Sequence, residues 1–175
     1  GYFATLVDTL IGFWLPAWRK RVKVKEVASL KFYLFDPGVA RALAGRLREP
    51  LESTERGFLL ETWILHELRA AMSLHDTGGQ LSYWRTPSGS EVDFIWTRGT
   101  RAIGMEVKAS AIWRNEYSTS LKSLIGAGAL QTGYGVYTGT AELKDGPVRV
   151  LPLSRFLGEL SSGTVLVGEK SRTDG

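Results

Sequence analysis

The chain has no cysteine and only two histidines in 175 residues. Without cysteine there is no disulfide, no thiolate metal site and no cysteine nucleophile, and His66 and His75 alone are too few for a histidine-rich zinc site. Any metal must therefore be held by oxygen. Long apolar runs are missing as well. The stretch from residue 10 to residue 16 is broken by Gly12 and ended by Pro16, far short of the roughly 20 apolar residues that a membrane helix requires. The first residues lack the basic start, apolar stretch and small-residue cleavage pattern of a signal peptide. A cytoplasmic domain cut from a longer protein, with no membrane contact, is the expectation. A phosphate-cradling G-x-x-x-x-G-K-[ST] sequence is absent, and Gly126-Ala127-Gly128 has Gln131 where a dinucleotide fingerprint needs its third glycine. These residues do not hydrolyse ATP by that route.

What is present reads as globular: 43% of residues are hydrophobic and 23% charged, with no low-complexity tract and no internal repeat. The net charge of +4 is unevenly spread. Residues 1–56 hold 10 Lys and Arg against 6 acids, while residues 57–175 hold 12 against 12. Arg19, Lys20, Arg21, Lys23 and Lys25 concentrate the excess, and Val22 and Val24 between them predict a strand with one basic face. Such a face can meet the phosphates of a nucleic acid. It can equally be a strand edge guarded against aggregation by its charges.

Hydrophobic spacing predicts a helix from residue 57 to residue 74, with Leu60, Ile64, Leu65, Leu68, Ala71 and Met72 on one stripe. A strand at residues 31–35 precedes Asp36-Pro37-Gly38, where Asp36 caps and Pro37 opens a short helix. The polar residues 46–56 are the best internal boundary. Three strands are predicted at residues 81–86, 91–97 and 101–108 as an antiparallel meander. A helix at 117–125, strands at 134–138 and 148–151, and a helix at 154–160 complete an α/β chain. The segment after residue 161 is poorly specified.

The hairpin of the second and third strands carries the chemistry. Gly99-Thr100 suits a type II′ turn that pairs Arg98 with Arg101. The same register places Asp93 opposite Glu106 and Glu91 opposite Lys108, all on one face, with Val92, Phe94, Trp96, Ile103, Met105 and Val107 on the other. Two carboxylates about 5 Å apart repel, and a divalent cation offsets that repulsion economically. Mg²⁺ or Mn²⁺ is the expected cofactor. Lys108, two residues from Glu106, would steady a developing anionic transition state. Glu61 shares the buried stripe of the long helix, where an unpaired charge is costly, so it is expected to join the cluster. Taken alone, a strand bearing Glu-x-Lys is more often a solvated face. Glu91 can be an ordinary ion-pair partner of Lys108.

At Asp93, Glu106-Val107-Lys108 and Glu61 the sequence resembles the PD-(D/E)XK nuclease superfamily. Residues 31–43 and 57–61, Tyr83-Trp84-Arg85-Thr86, Glu91-Val92-Asp93-Phe94 and the Glu-x-Lys are more narrowly similar to the C-terminal region of prokaryotic AAA-type ATPases, the domain of unknown function 4143. That resemblance implies a restriction-endonuclease-like core of helix, three-stranded meander, helix and strand over residues 46–175. Residues 1–45 would then be a winged-helix remnant with linker elements, following an ATPase domain upstream. It implies metal ligation by Asp93, Glu106 and the Val107 carbonyl and catalysis by these acids with Lys108 and Glu61, while nucleic-acid contacts are expected of Arg21, Lys23 and Lys25 on the basic face, and of Arg85. Nucleic acid, DNA foremost, and the chain's own ATPase domain are the implied partners, with a homo-oligomer left open. Two functions follow: Mg²⁺-dependent phosphodiester hydrolysis, or a catalytically inactive nuclease fold serving as an interaction module. Intact site residues favour the first, whereas the balanced charge of residues 57–175 favours the second, because nucleic-acid binders usually carry a basic surface.

Overall fold

A computed structural model describes residues 2–19 and 29–167. The predicted basic strand at Arg21, Lys23 and Lys25 lies outside the described residues. The chain opens with α1 (Tyr2–Asp8), then β1 (Gly12–Leu15) and β2 (Lys31–Leu34), an antiparallel pair with Leu15 against Lys31. Helix α2 (Pro37–Leu43) begins as its sequence requires: the Asp36 Oδ1 accepts the Val39 N–H at 2.9 Å, and Pro37 fills the first turn, where an N–H is not needed.

The long helix α3 runs Ser53–Leu74, one turn earlier than its apolar stripe indicates. That first turn is polar and gains from charge pairing instead: Arg41 of α2 donates to Glu55 at 2.9 Å. Strands β3 (Gln80–Arg85), β4 (Glu91–Arg98) and β5 (Arg101–Lys108) are antiparallel neighbours. After a 3₁₀ turn at Asn115–Ser118 come α4 (Thr119–Gly126), β6 (Thr132–Tyr137), β7 (Leu143–Asp145), β8 (Val148–Pro152), α5 (Leu153–Ser161) and α6 (Thr164–Val167). The sheet is mixed and six-stranded, in the order β3-β4-β5-β6-β8-β7, with β6 parallel to both β5 and β8. It is therefore wider than the meander and single further strand the sequence resemblance implies.

Both sheet faces are buried. On one, Leu60, Ile64, Leu65 and Leu68 of α3 and Phe156 and Leu160 of α5 pack on Phe94, Trp96, Ile103, Met105, Tyr134 and Val136. On the other, Leu121 and Leu124 of α4 pack on Ile95, Ala102, Val148 and Val150. The hairpin face expected to be polar is thus polar only at its Asp93 end, and α4 covers the remainder. Gly104 makes that cover close: a Cβ there would stand 2.6 Å from both Leu121 Cδ2 and Leu130 Cδ1. Gly104→Val is expected to lower stability by about 2 kcal/mol through overpacking. Urea unfolding checks it, and an unmoved midpoint would mean that α4 yields without cost.

The amino-terminal elements cover the β3 edge. Tyr83 N–H donates to the Pro16 carbonyl at 3.0 Å, and Trp18 N–H to the Tyr83 carbonyl at 2.6 Å, so the segment that follows β1 satisfies backbone groups a bare edge strand would leave open. Leu15 and Tyr33 join the same core as α3. Among the described residues, no helix is long and apolar enough to cross a membrane.

Candidate functional site

The turn at Gly99, with φ +59°, fixes the β4–β5 register, and pairs run from Arg98↔Arg101 through Phe94↔Met105. There the ladder stops. On its other side β4 pairs Ile95 with Ser82 but Val92 with Trp84, so Asp93 and Phe94 together face the single residue Tyr83. This is a β-bulge, which bends the strand and re-aims a side chain. Its effect is visible in the packing: Val92 and Ile95, three residues apart, belong to one core cluster, while Phe94 and Trp96 belong to the other. Strict alternation would have put Val92 with Phe94.

The bulge corrects the expected opposition of Asp93 and Glu106. The paired register ends at Phe94↔Met105, one step short of them. The Asp93 Oδ2 instead enters the seam between strands and accepts the Val107 N–H at 2.8 Å, which a regular ladder would send to the backbone of β4. The acids nonetheless stay close enough to interact. Burial, then Glu61, pushes the Asp93 carboxyl up to about 7. Burial, then Asp93, pushes Glu106 well above its ordinary range. Asp93 is 8% exposed and Glu106 6%. Lys108 donates to the Glu106 Oε1 at 2.5 Å, whereas the buried Glu106 Oε2 has no partner among the described residues.

Two residues the sequence reading passed over complete the cluster. Lys31 and Tyr33 alternate on β2, and both reach Glu61: the Lys31 ammonium at 3.3 Å and the Tyr33 hydroxyl as a short hydrogen bond. Lys31 also ion-pairs with Glu91. Glu91 has Arg85 as a further partner at 3.8 Å, so among the described residues its ion pairs are Lys31 and Arg85, not Lys108. Glu61 is accordingly a paired, part-exposed acid. For both lysines burial works against the charge, but nearby carboxylates outweigh it, Glu61 for Lys31 and Glu106 for Lys108, and both are raised and stay cationic. Aromatic rings seat them, with Lys31 4.8 Å from the Tyr83 centroid and Lys108 5.6 Å from that of Tyr117. The Tyr33 phenol, raised by burial and then by Glu61, remains a donor. The i, i+2 spacing of Lys31 and Tyr33 was the available signal, but nothing local says which acid they meet.

The arrangement brings Glu61, Glu91, Asp93, Glu106, Lys31, Lys108 and Arg85 from α3 and four strands into one mixed-charge cluster. Chemically it can hold a cation on hard oxygen donors, or present lysines to an anion. Among the described residues, no three His, Asp or Glu side chains are placed to close on one metal ion. Neither a curated protein nor a solved structure matches the chain. The model of the family described as "Domain of unknown function (DUF4143)" does match, over residues 56–156. That stretch is more than half of the chain and runs from the first turns of α3 into α5, taking in Glu61, Glu91, Asp93, Glu106 and Lys108 and leaving out Lys31 and Tyr33: the protein belongs to the DUF4143 family.

Proposed function

We propose that this chain is the nuclease-like, PD-(D/E)XK-type C-terminal part of a cytoplasmic AAA-type ATPase and hydrolyses phosphodiester bonds of nucleic acid with Mg²⁺ or Mn²⁺. The observation that carries the reading is the Asp93–Glu106 pair: two buried carboxylates, both pushed toward the protonated form, one of them with an oxygen that has no partner among the described residues. Natural sequences rarely bury such a pair without a compensating cation. The donors fit Mg²⁺, which binds through one or two carboxylates and keeps several waters, so a three-acid cage is not required.

Asp93 and Glu106 would hold the ion, with the Val107 carbonyl as a further oxygen. When bound, it supplies Lewis-acid polarisation of a phosphoryl oxygen. The protein's own groups do the rest. Lys108, held cationic by Glu106, faces charge that develops on the phosphate. Glu61 is oriented by Lys31 and Tyr33 and assists in positioning the attacking water. The exposed Arg85, with Arg21, Lys23 and Lys25, binds flanking phosphates.

A second reading has its own observation. Glu61 and Glu91 are already ion-paired with Lys31, with Arg85 as a further cation beside Glu91, and no three acids converge on one point among the described residues. An inactive nuclease fold that serves as an interaction module of the ATPase would look the same at this site. Calorimetric titration of Mn²⁺, paired with cleavage of end-labelled single- and double-stranded DNA, separates the two. The nuclease reading expects saturable metal binding and metal-dependent cleavage. DNA binding without either would leave the interaction module.

A further inference from the structure

We propose that Lys31 is a built-in cation of the site, filling one of two cation positions so that the protein takes a single divalent ion, between Asp93 and Glu106. The inference rests on the metal-binding reading above and adds a residue outside the family match.

The four carboxylates are not equivalent. Glu61 and Glu91 form one half. The Lys31 ammonium touches both, Tyr33 donates to Glu61, and Arg85 stands beside Glu91. Asp93 and Glu106 form the other half. Asp93 has one backbone N–H and Glu106 has Lys108 on one oxygen, while the Glu106 Oε2, in a side chain more than nine-tenths buried, has no partner among the described residues. Positive charge is therefore complete on one side and short on the other.

Lys31 is not a loose surface arm. It sits in β2, paired through its backbone to Leu15, with its ammonium over the Tyr83 ring. A lysine so fixed is a point charge at a set position, strong enough to exclude a hydrated dication from the Glu61–Glu91 half. The split also explains why no three acids close on one ion among the described residues: an ammonium lies between two of them. Divalent-ion stoichiometry is thus set by a residue some thirty positions before the first acid of the cluster.

Counting bound Mn²⁺ by electron paramagnetic resonance, with calorimetry in parallel, tests this on the parent, Lys31→Met, Lys31→Gln, Lys31→Arg and Asp93→Asn. One Mn²⁺ is expected for the parent and for Lys31→Arg. Two are expected for Lys31→Met and Lys31→Gln, the added one weaker and lost again when Glu91→Gln is introduced. If both neutral variants fold by circular dichroism and bind one Mn²⁺ with the parent affinity, Lys31 is only a structural tie between β2, α3 and β4, and the proposal is overturned while metal binding stands. Two ions in the parent would overturn it as well. No binding by the parent, or binding untouched by Asp93→Asn, would remove the metal reading itself and this inference with it. Should neither neutral variant fold, Lys31→Arg/Glu91→Gln decides: retention of one ion supports the split, and loss of that ion shows that Glu91 is a ligand and overturns it.

Discussion

Asp93→Asn is expected to abolish Mn²⁺ binding and any phosphodiester cleavage, while the metal-free variant melts at or above the parent temperature at pH 8. The reason is linkage. The Asp93 carboxyl is held up to about 7, against 3.8 for an unperturbed aspartate, mainly by burial and then by Glu61. Between those values the folded chain binds a proton that the unfolded chain does not, so the contribution of this group is fully present below about pH 4 and is lost as pH rises through about 7. At pH 8 the ionised parent bears a penalty on the order of 4 kcal/mol. Asparagine carries no charge, and its amide oxygen can still accept the Val107 N–H. Stability against pH should therefore be flatter for the variant, and the gap should close toward pH 4. Adding Mn²⁺ at pH 8 should raise the parent melting temperature and leave the variant unmoved. A variant that melts well below the parent at pH 8 would make Asp93 a structural acceptor rather than a strained ligand, in line with the interaction-module reading. Function opposing stability at one position is common where a site awaits a ligand.

How much of this was legible in the sequence depends on whether local chemistry or distant pairing fixes each feature. The stripe Leu60, Ile64, Leu65, Leu68 marks α3, and the Asp36-Pro37 start marks α2, because caps and periodicity act within a few residues. The hairpin register follows from Gly99-Thr100, since a two-residue turn leaves no freedom in which residues pair, and it holds through Phe94↔Met105. The bulge at Asp93 could not be read from β4, since it is β3, across the ladder, that sets two residues of β4 against Tyr83 alone. Lys31 and Tyr33 stand 30 and 28 positions before Glu61, and no spacing rule links a strand to a helix at that distance. Strand β7 spans three residues at the sheet edge and α6 four, both too short to leave a periodic signal. The polar first turn of α3 reads as linker because its stabilisation comes from Arg41 rather than from burial.

Lys108→Met should shift stability in the direction opposite to Asp93→Asn. Lys108 is the cation on Glu106, whose side chain is 8% exposed and whose second oxygen already lacks a partner among the described residues. Removing the ammonium leaves a buried carboxylate with no counter-charge, and breaking one side of such a pair costs on the order of 3 kcal/mol, less whatever protonation of Glu106 recovers. Burial and Asp93 already push Glu106 toward the protonated form, so the loss should be largest at high pH and shrink as pH falls. The neutral pair Lys108→Met/Glu106→Gln should regain most of the difference, because position 106 then carries no buried charge without its partner. Mn²⁺ supplies a contrast the structural account alone does not: with Asp93 and Glu106 intact, the single variant should still bind metal and be stabilised by it more than the parent, while cleavage is lost with the lysine that faces the phosphate. Melting curves of the four corners of the cycle, with and without Mn²⁺, measure the coupling directly. If Lys108→Met melts with the parent and the double variant shows no recovery, the Lys108–Glu106 contact carries no net stabilisation. In that case the lysine would owe its position to the Tyr117 ring rather than to Glu106.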